Sequence, residues 1–334
     1  MKTTKGWRAC MAVGALILGL VLFLPEAQAA KKIVFSTGVD TSFCQVPIAK
    51  EKGFFKKYDL DVTVKKFTAG VEGFKSLLAG ESNASISATP GVIAALAQDA
   101  PIRIIGTSRA ATGPYAAVVA TSDIQKPQDL HGRNVGVAWG TSGSHMFFLL
   151  YCKYHKLDRD KINVKQLQPQ EMMIAFSRGD IDAFFSWPPW WTRGLQVRKG
   201  AHVLAQSNDH NVHIGTQTLV ISAKLAEDKE AVKGIVRAFF DAEKFKAETP
   251  KATVEMLAKE YNMTEKEVAD ELKAQTHRLE LSELSFQDFC NSARFMIETK
   301  KVERAPNWKA GILVEYLKEL DPSRLTYKRF IDCR

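Results

Sequence analysis

The stretch Asn134-Val-Gly-Val-Ala-Trp-Gly-Thr-Ser-Gly-Ser-His145 decides how this chain is read. Val135 to Trp139 predicts a buried strand that stops at Gly140. Thr141 to Ser144 is a small polar turn, and His145 to His155 an apolar-rich helix. A helix opening carries backbone N–H groups with no partner inside the helix. Those groups and the helix dipole favour a bound anion. Gly140 and Gly143 would let a ligand approach the backbone closely. The same residues also make an ordinary Ser/Thr cap after a sheet strand, so the rest of the chain has to decide.

Working outward, short apolar strands alternate with helices from Lys31 to about Ser222. Strands are expected at Ile33 to Ser36, Val62 to Phe67, Ala84 to Ser87, Ile102 to Thr107 and Ala116 to Ala120. Helices are expected at Val46 to Phe55, Gly70 to Leu78 and Gly91 to Gln98. A second round follows, with strands at Asn134 to Trp139, Val164 to Leu167, Ile181 to Ser186 and Thr218 to Ile221. Its helices are Ser144 to His155 and Pro169 to Ser177, the latter with Pro at its first turn. This alternation points to mostly parallel sheets covered by helices. Beyond Leu225 five amphipathic helices are expected, the last from Trp308 to Leu320.

Leu78-Ala-Gly-Glu-Ser-Asn-Ala-Ser-Ile-Ser87 resembles Ser177-Arg-Gly-Asp-Ile-Asp-Ala-Phe-Phe-Ser186, offset by 99 positions. Both read as helix, Gly, acid, any residue, Asn or Asp, Ala, strand. The pattern predicts two lobes of like topology whose strands end at one shared surface. In open α/β sheets that surface forms the ligand crevice. Thr89-Pro90 would then start a helix in one lobe as Gly140-Thr141 does in the other.

The N-terminus reads as a secretory signal over residues 1–29. Lys2, Lys5 and Arg8 are basic, Met11 to Leu24 is an apolar run of about 14 residues, and Ala27-Gln28-Ala29 fits a small-x-small cleavage site. That run is short for a membrane span. Cleavage would lower the formal charge from +9 to +7. The surplus is scattered among acids without a long basic run, which argues against nucleic acid as a partner. A mildly positive field helps collect small anions. Cys44, Cys152, Cys290 and Cys333 show no C-x-x-C spacing, so no zinc or redox motif is expected. Export permits a disulfide, Cys290 with Cys333 being the first pair to consider. A mature chain of about 305 residues exceeds the usual single core and calls for two lobes.

Several ordered motifs resemble the type II periplasmic substrate-binding proteins of ABC importers, in the branch serving taurine, alkanesulfonates, nitrate and thiamine-pyrimidine precursors. They are Pro47-Ile-Ala-Lys-Glu-Lys-Gly-Phe-Phe55, Phe67-Thr-Ala-Gly-Val-Glu-Gly-Phe74, Leu77-Leu-Ala-Gly-Glu81 with Ser87-Ala-Thr-Pro90, and Asp129-Leu-His-Gly-Arg-Asn-Val-Gly-Val137. Leu167-Gln-Pro169 and Gly179-Asp-Ile-Asp-Ala183 complete the set. The resemblance implies two α/β lobes joined by hinge strands, with ligand held between them and the closed form recognised by an inner-membrane ABC permease. Residues 30–120 and 221–334 would form lobe one, and 121–220 lobe two. It implies a periplasmic monomer that binds a small organic or inorganic anion, sulfonate-like first, with no cofactor, no metal and no catalysis.

On this resemblance the ligand would meet Thr41, Ser42, Phe43, Gln45, Gly70, Ser87 and Thr89 from lobe one. Trp139, Gly140, Thr141, Ser142, Trp187 and Thr216 would meet it from lobe two. Ser, Thr and Gly offer neutral donors suited to a sulfonate, nitrate or carboxylate. Phe43, Trp139 and Trp187 would supply apolar walls, although Trp187-Pro-Pro-Trp-Trp191 also reads as a packing cluster. Taurine binders of this family carry an acid near the final crossing strand. Gly215-Thr-Gln-Thr-Leu219 has none, which favours an anion without an amine. Two alternatives share the fold: a ligand-sensing partner of a signalling receptor, and a thiamine-precursor binder or enzyme. The pyrimidine synthases of this fold use a cysteine-rich iron signature that is missing here. His210-Asn-Val-His213 reads as a polar loop with no third metal ligand.

Overall fold

A computed structural model describes residues 30–213 and 215–327. The expected leader, residues 1–29, and Cys333 lie outside them. Two sheets organise the chain. The first has strand order β11-β4-β10-β3-β1-β2, the second β7-β6-β8-β5-β9. The strands are β1 (Lys31–Gly38), β2 (Leu60–Phe67), β3 (Ala84–Ala88), β4 (Ile102–Ala111), β5 (Ala117–Ala120), β6 (Asn134–Val137), β7 (Asn163–Gln166), β8 (Ala183–Ser186), β9 (His202–Gln206), β10 (Thr216–Ser222) and β11 (Gln275–Thr276).

The two sheets share a topology. β3 lies parallel to β1 and antiparallel to β10; β8 lies parallel to β6 and antiparallel to β5. The 99-residue correspondence holds down to single hydrogen bonds. Gly80 and Gly179 both end a helix with positive φ, at 76° and 85°, where a side chain would be strained. Three residues on, the equivalent residues brace the neighbouring strands. Asn83 Oδ1 accepts from Val34 N at 2.9 Å, and Asp182 Oδ2 from Asn134 N at 3.0 Å. The Asn83 carbonyl then accepts from Ser222 N, and the Asp182 carbonyl from Thr121 N, both at 3.0 Å.

Each lobe has its own core. Phe35, Phe55, Phe239, Phe286 and Phe289 centre the first, Phe147, Phe148, Phe176, Phe184 and Phe185 the second. The C-terminal helices belong to the first core. Lys229–Glu248 stacks Phe239 on Phe35 of β1 at 6.0 Å between ring centroids.

Strand membership moves the lobe boundaries from their expected positions. Ala117–Ala120, assigned to lobe one from sequence, pairs with β8 and β9 in the second sheet. Thr216–Val220, assigned to lobe two, pairs with β3 and β4 in the first. The chain therefore crosses between sheets at 111–117 and 206–216. A central strand buried on both faces looks alike in either sheet, so composition could not place it.

Other differences are local. The expected helix Ser144 to His155 begins with one wide, π-type turn over Ser142–Met146 before Phe147–Tyr154. The expected helix Trp308 to Leu320 breaks in two because Leu313 N donates to Ile104 O of β4 at 2.9 Å. The helix Trp190–Val197 and β9 were not expected. Gly194 sits inside that helix, where a Cβ would lie 2.3 Å from the Phe184 ring. The glycine that weakens the helical signal is the one that lets the helix dock.

Cys290 is disulfide-bonded, while Cys44 and Cys152 are free and buried. Burial pushes both free thiols up to about 12, which keeps them protonated and unreactive. Among the described residues no helix is long and apolar enough to cross a membrane.

Candidate functional site

Between the lobes lies a cleft of about 580 Å³, part of it open to solvent. Lobe one lines it with Asp40, Phe43, Ala69 to Val71, Ala88, Arg109, Thr216 and Gln217; lobe two and the crossings add Tyr115, Thr141 to Gly143, Trp187, Ser207 and His213. Two helix starts open onto this space. In lobe two, Thr141 is the N-cap residue of the helical run that begins at Ser142, yet its side chain caps nothing. The Thr141 hydroxyl turns back to donate to Ala138 O at 2.7 Å. In lobe one, Ala69 caps the helix Gly70–Leu78 and has no side-chain acceptor to offer. First-turn N–H groups at Gly70, Val71, Ser142 and Gly143 are therefore left for a ligand.

Arg109 adds charge. It is 2 % exposed, on β4 beside Gln217 of β10. Its Nε donates to Gln275 Oε1 at 2.6 Å and its Nη1 to Gly215 O at 3.1 Å, and its plane stacks 3.7 Å from the Tyr115 ring centroid. Nη2 is buried with no acceptor. Burial lowers the guanidinium from its ordinary value, while Tyr115, Asp40, Asp288 and Glu271 act the other way. An arginine stays protonated in such a setting, so a buried cation with an unpartnered N–H borders the cleft.

Asp40 shares the cleft and is 6 % exposed. It accepts from Ser42 N at 2.9 Å. Burial raises its carboxyl, against hydrogen bonding from Ser42 and the charge of Arg109. The absence of acid from Gly215 to Leu219 thus does not leave the cleft without one; it enters from β1's end. His213 meets Ser142 Oγ through Nε2 at 2.8 Å, and burial followed by Arg109 pushes it down to about 4. It is neutral at pH 7. Asp288, raised by burial to about 6, holds Thr216 through its N and Oγ1, at 3.0 and 2.6 Å.

Of the thirteen residues expected from sequence, Phe43, Gly70, Thr141, Ser142, Trp187 and Thr216 line the cleft. The others do not. Thr41 is fully buried, its hydroxyl donating to Glu271 Oε2 at 2.6 Å. Ser42 meets the Tyr115 hydroxyl at 2.8 Å, and Gln45 Nε2 donates to Ser108 O at 2.5 Å. Ser87 is buried inside β3, and Thr89 turns its hydroxyl to Thr216 and Thr218 of β10. Trp139 is 43 % exposed and stacks on His145 at 3.8 Å, beside Gly140. The lobe-one helix start facing Ser142 is accordingly Gly70, in place of Thr89. Arg109, Asp40, Tyr115 and Gln217 were not singled out from sequence.

Phe43 is set by two glycines. A Cβ on Gly38 or Gly70 would lie 2.4 or 2.7 Å from its ring. Gly70→Ala is expected to push the ring toward the cleft. Overpacking of this kind costs about 1–3 kcal/mol, read as a lowered urea midpoint together with weaker ligand binding.

Glu271 supports the Arg109 side of the cleft through Thr41 and Gln275, whose Nε2 donates to Thr41 Oγ1 at 2.9 Å. Burial raises its carboxyl to about 8 from 4.5. A raised carboxyl contributes stability that is complete below pH 4.5 and lost as pH climbs through about 8. Glu271→Gln, which imitates the neutral acid, should match the parent to within about 1 kcal/mol at pH 5 and exceed it at pH 9 by up to about 5 kcal/mol. Urea unfolding at the two pH values measures this, and an equal gap at both would contradict it.

Residues 40–253 match the family described as NMT1/THI5 like. The chain is 27 % identical over 234 residues to the taurine-binding periplasmic protein of Escherichia coli strain K12, covering 68 % of this chain and 70 % of that one. The crystal structure of the periplasmic aliphatic sulphonate binding protein SsuA from Escherichia coli aligns with a TM-score of 0.73 at 19 % identity, covering 86 % of this chain and 98 % of that one. The desulfurization enzyme DszB has a similar fold, with a TM-score of 0.65 at 14 % identity over 88 % of this chain and 100 % of that one. The matched span covers most of both lobes, and the chain belongs to the NMT1/THI5-like family, with the two-lobed fold of periplasmic binding proteins.

Proposed function

We propose that this protein is an extracytoplasmic receptor that closes its two lobes on a small organic anion, sulfonate-like first, and delivers it to an inner-membrane ABC permease. One observation carries the reading: two uncapped helix starts and the orphan Nη2 of Arg109 border the same cleft between lobes. A sulfonate has three oxygens and could take donors from all three directions. Charge-assisted bonds of this kind are about twice as strong as neutral ones. Asp40 keeps the cleft near neutral overall, so an anion that also carries an amine fits as well as a simple one. Phe43, Tyr115 and Trp187 suit the organic part.

Closure is read as rotation about the crossings at 111–117 and 206–216. Lys153 to Glu298 at 3.1 Å and Arg193 to Glu267 at 3.6 Å span the lobes on either side. The leader read at residues 1–29 and the periplasmic taurine-binding relative support export. For a receptor over an enzyme speaks the taurine-binding periplasmic relative, a binding protein. Among the described residues there is no metal-binding cluster.

The test is a thermal-shift panel on the leader-free chain. Ethanesulfonate, taurine, nitrate, bicarbonate, acetate and thiamine-pyrimidine precursors are set against glucose and choline. A ligand that binds only the native state raises the melting temperature by mass action. Shifts with sulfonates support the reading. Shifts confined to glucose or choline would overturn it.

A further inference from the structure

A second cavity lies on one flank of the lobe interface, away from the cleft just described. It spans about 1100 Å³, part of it open to solvent, between the helix Trp190–Val197 of lobe two and the helix Glu265–Lys273 packed on lobe one. It shares no lining residue with the anion cleft. The Trp191 indole, which donates to Tyr115 O at 2.9 Å, and the Thr41–Gln275 pair stand between the two.

Its walls have opposite characters. Pro114, Pro188 and Trp191 form an apolar side. Facing them, Thr264, Glu267, Glu271 and Ala274 recur at spacings of three, four and three, which places them on one helix face. Asp270 also lines the space, paired to Lys266 at 2.6 Å, and Glu267 is held by Arg193 and Thr264. Glu271 differs from these. It is 6 % exposed, its Oε2 accepts from Thr41, and its Oε1 is buried with no partner. A buried carboxyl oxygen without a donor is costly to leave so. Glu267 and Asp270 each already face a cation, so the buried Oε1 of Glu271 is what this wall leaves for an incoming donor, and no anion-binding role accounts for it.

We infer that this flank cavity is a second binding site, one that takes a small organic cation: a primary ammonium carried on a flat apolar body. The ammonium donates to Glu271 Oε1, and the body packs against Trp191 and the two prolines. Cation–π attraction from Trp191 adds to the contact. Pro114 lies in the first crossing and Glu271 in the layer behind Arg109, so an occupant here touches both the hinge and the support of the anion cleft. The inference does not depend on what the anion cleft binds.

The probe is benzylammonium chloride, with benzyl alcohol as its uncharged counterpart. Both are titrated into the leader-free chain while the indole N–H resonance of Trp191, assigned through Trp191→Phe, is followed by NMR. Saturable displacement of that resonance by benzylammonium is expected, with at least tenfold weaker response to benzyl alcohol. Glu271→Gln should weaken benzylammonium at least tenfold and leave benzyl alcohol unchanged. Arg109→Met should keep benzylammonium binding, since that arginine serves the other cleft. Equal affinity of parent and Glu271→Gln for benzylammonium, or no movement of the Trp191 resonance, would overturn the inference. So would markedly tighter benzylammonium binding in Arg109→Met with its circular dichroism intact, because a cation in the anion cleft would then be relieved of a like charge.

Discussion

Arg109→Met should lower the affinity for the bound anion about 100-fold, or ~3 kcal/mol, as measured by calorimetry on the leader-free chain. The side chain keeps its apolar length against Tyr115 and loses every donor. In the parent, Nε and Nη1 are held by Gln275 and Gly215, and Nη2 has no protein acceptor. The guanidinium is thus positioned before ligand arrives, and little ordering remains to be done on binding. Lysine should recover only part of the loss. A single ammonium cannot bond Gln275 and Gly215 and present a third donor while stacked on Tyr115. An anion affinity unchanged in Arg109→Met, with far-UV circular dichroism like the parent, would remove Arg109 from the site.

Ser142→Pro should cost roughly 10- to 50-fold in anion affinity while leaving the fold in place, the loss expected when a charge-assisted hydrogen bond is removed. Ser142 is the first residue of its helix, the position where proline is best tolerated because that N–H has no helical partner. Thr141 before it is extended, at φ −95° and ψ 153°, as a residue preceding proline must be. The change therefore removes a cleft donor and the Ser142–His213 contact with little strain elsewhere. A variant with normal melting and undiminished binding would clear this turn of the role.

The sheets and their likeness were legible because they depend on local signals. The Gly-acid-x-Asn/Asp pattern at 80–83 and 179–182 specifies a left-handed helix end and a side chain that braces the next strand, and both lobes use it in the same way. The turn Thr141 to Gly143 was legible for the same reason. Arg109 was not. It lies in β4, where polar and apolar residues mix without a clean alternation, and which face it takes depends on register. Pairing of β4 with β10 shifts between Gln217 and Thr218 and again between Leu219 and Val220. A slip of one residue turns a side chain to the opposite face, so no period count along β4 alone could aim Arg109 at the cleft. Its partner Gln275 is 166 residues away on β11, an edge strand of two residues. Thr41, Ser42 and Gln45 have the chemistry of ligand donors, but Glu271 and Gln275 hold Thr41, Tyr115 meets Ser42, and the Ser108 carbonyl of β4 takes Gln45. That packing is tertiary, and the family motifs from Lys31 to Ser222 carry no sign of it.

In the proposed receptor, Arg109 and two uncapped helix starts together hold one anion between the lobes. A crystal structure of the leader-free chain with ethanesulfonate tests it most directly. Sulfonate oxygens are expected about 2.7–3.1 Å from Arg109 Nη2 and from first-turn N–H groups at Ser142 or Gly143 and at Gly70 or Val71. A sulfonate bound elsewhere, or one in the cleft that leaves Arg109 Nη2 without an acceptor, would contradict it.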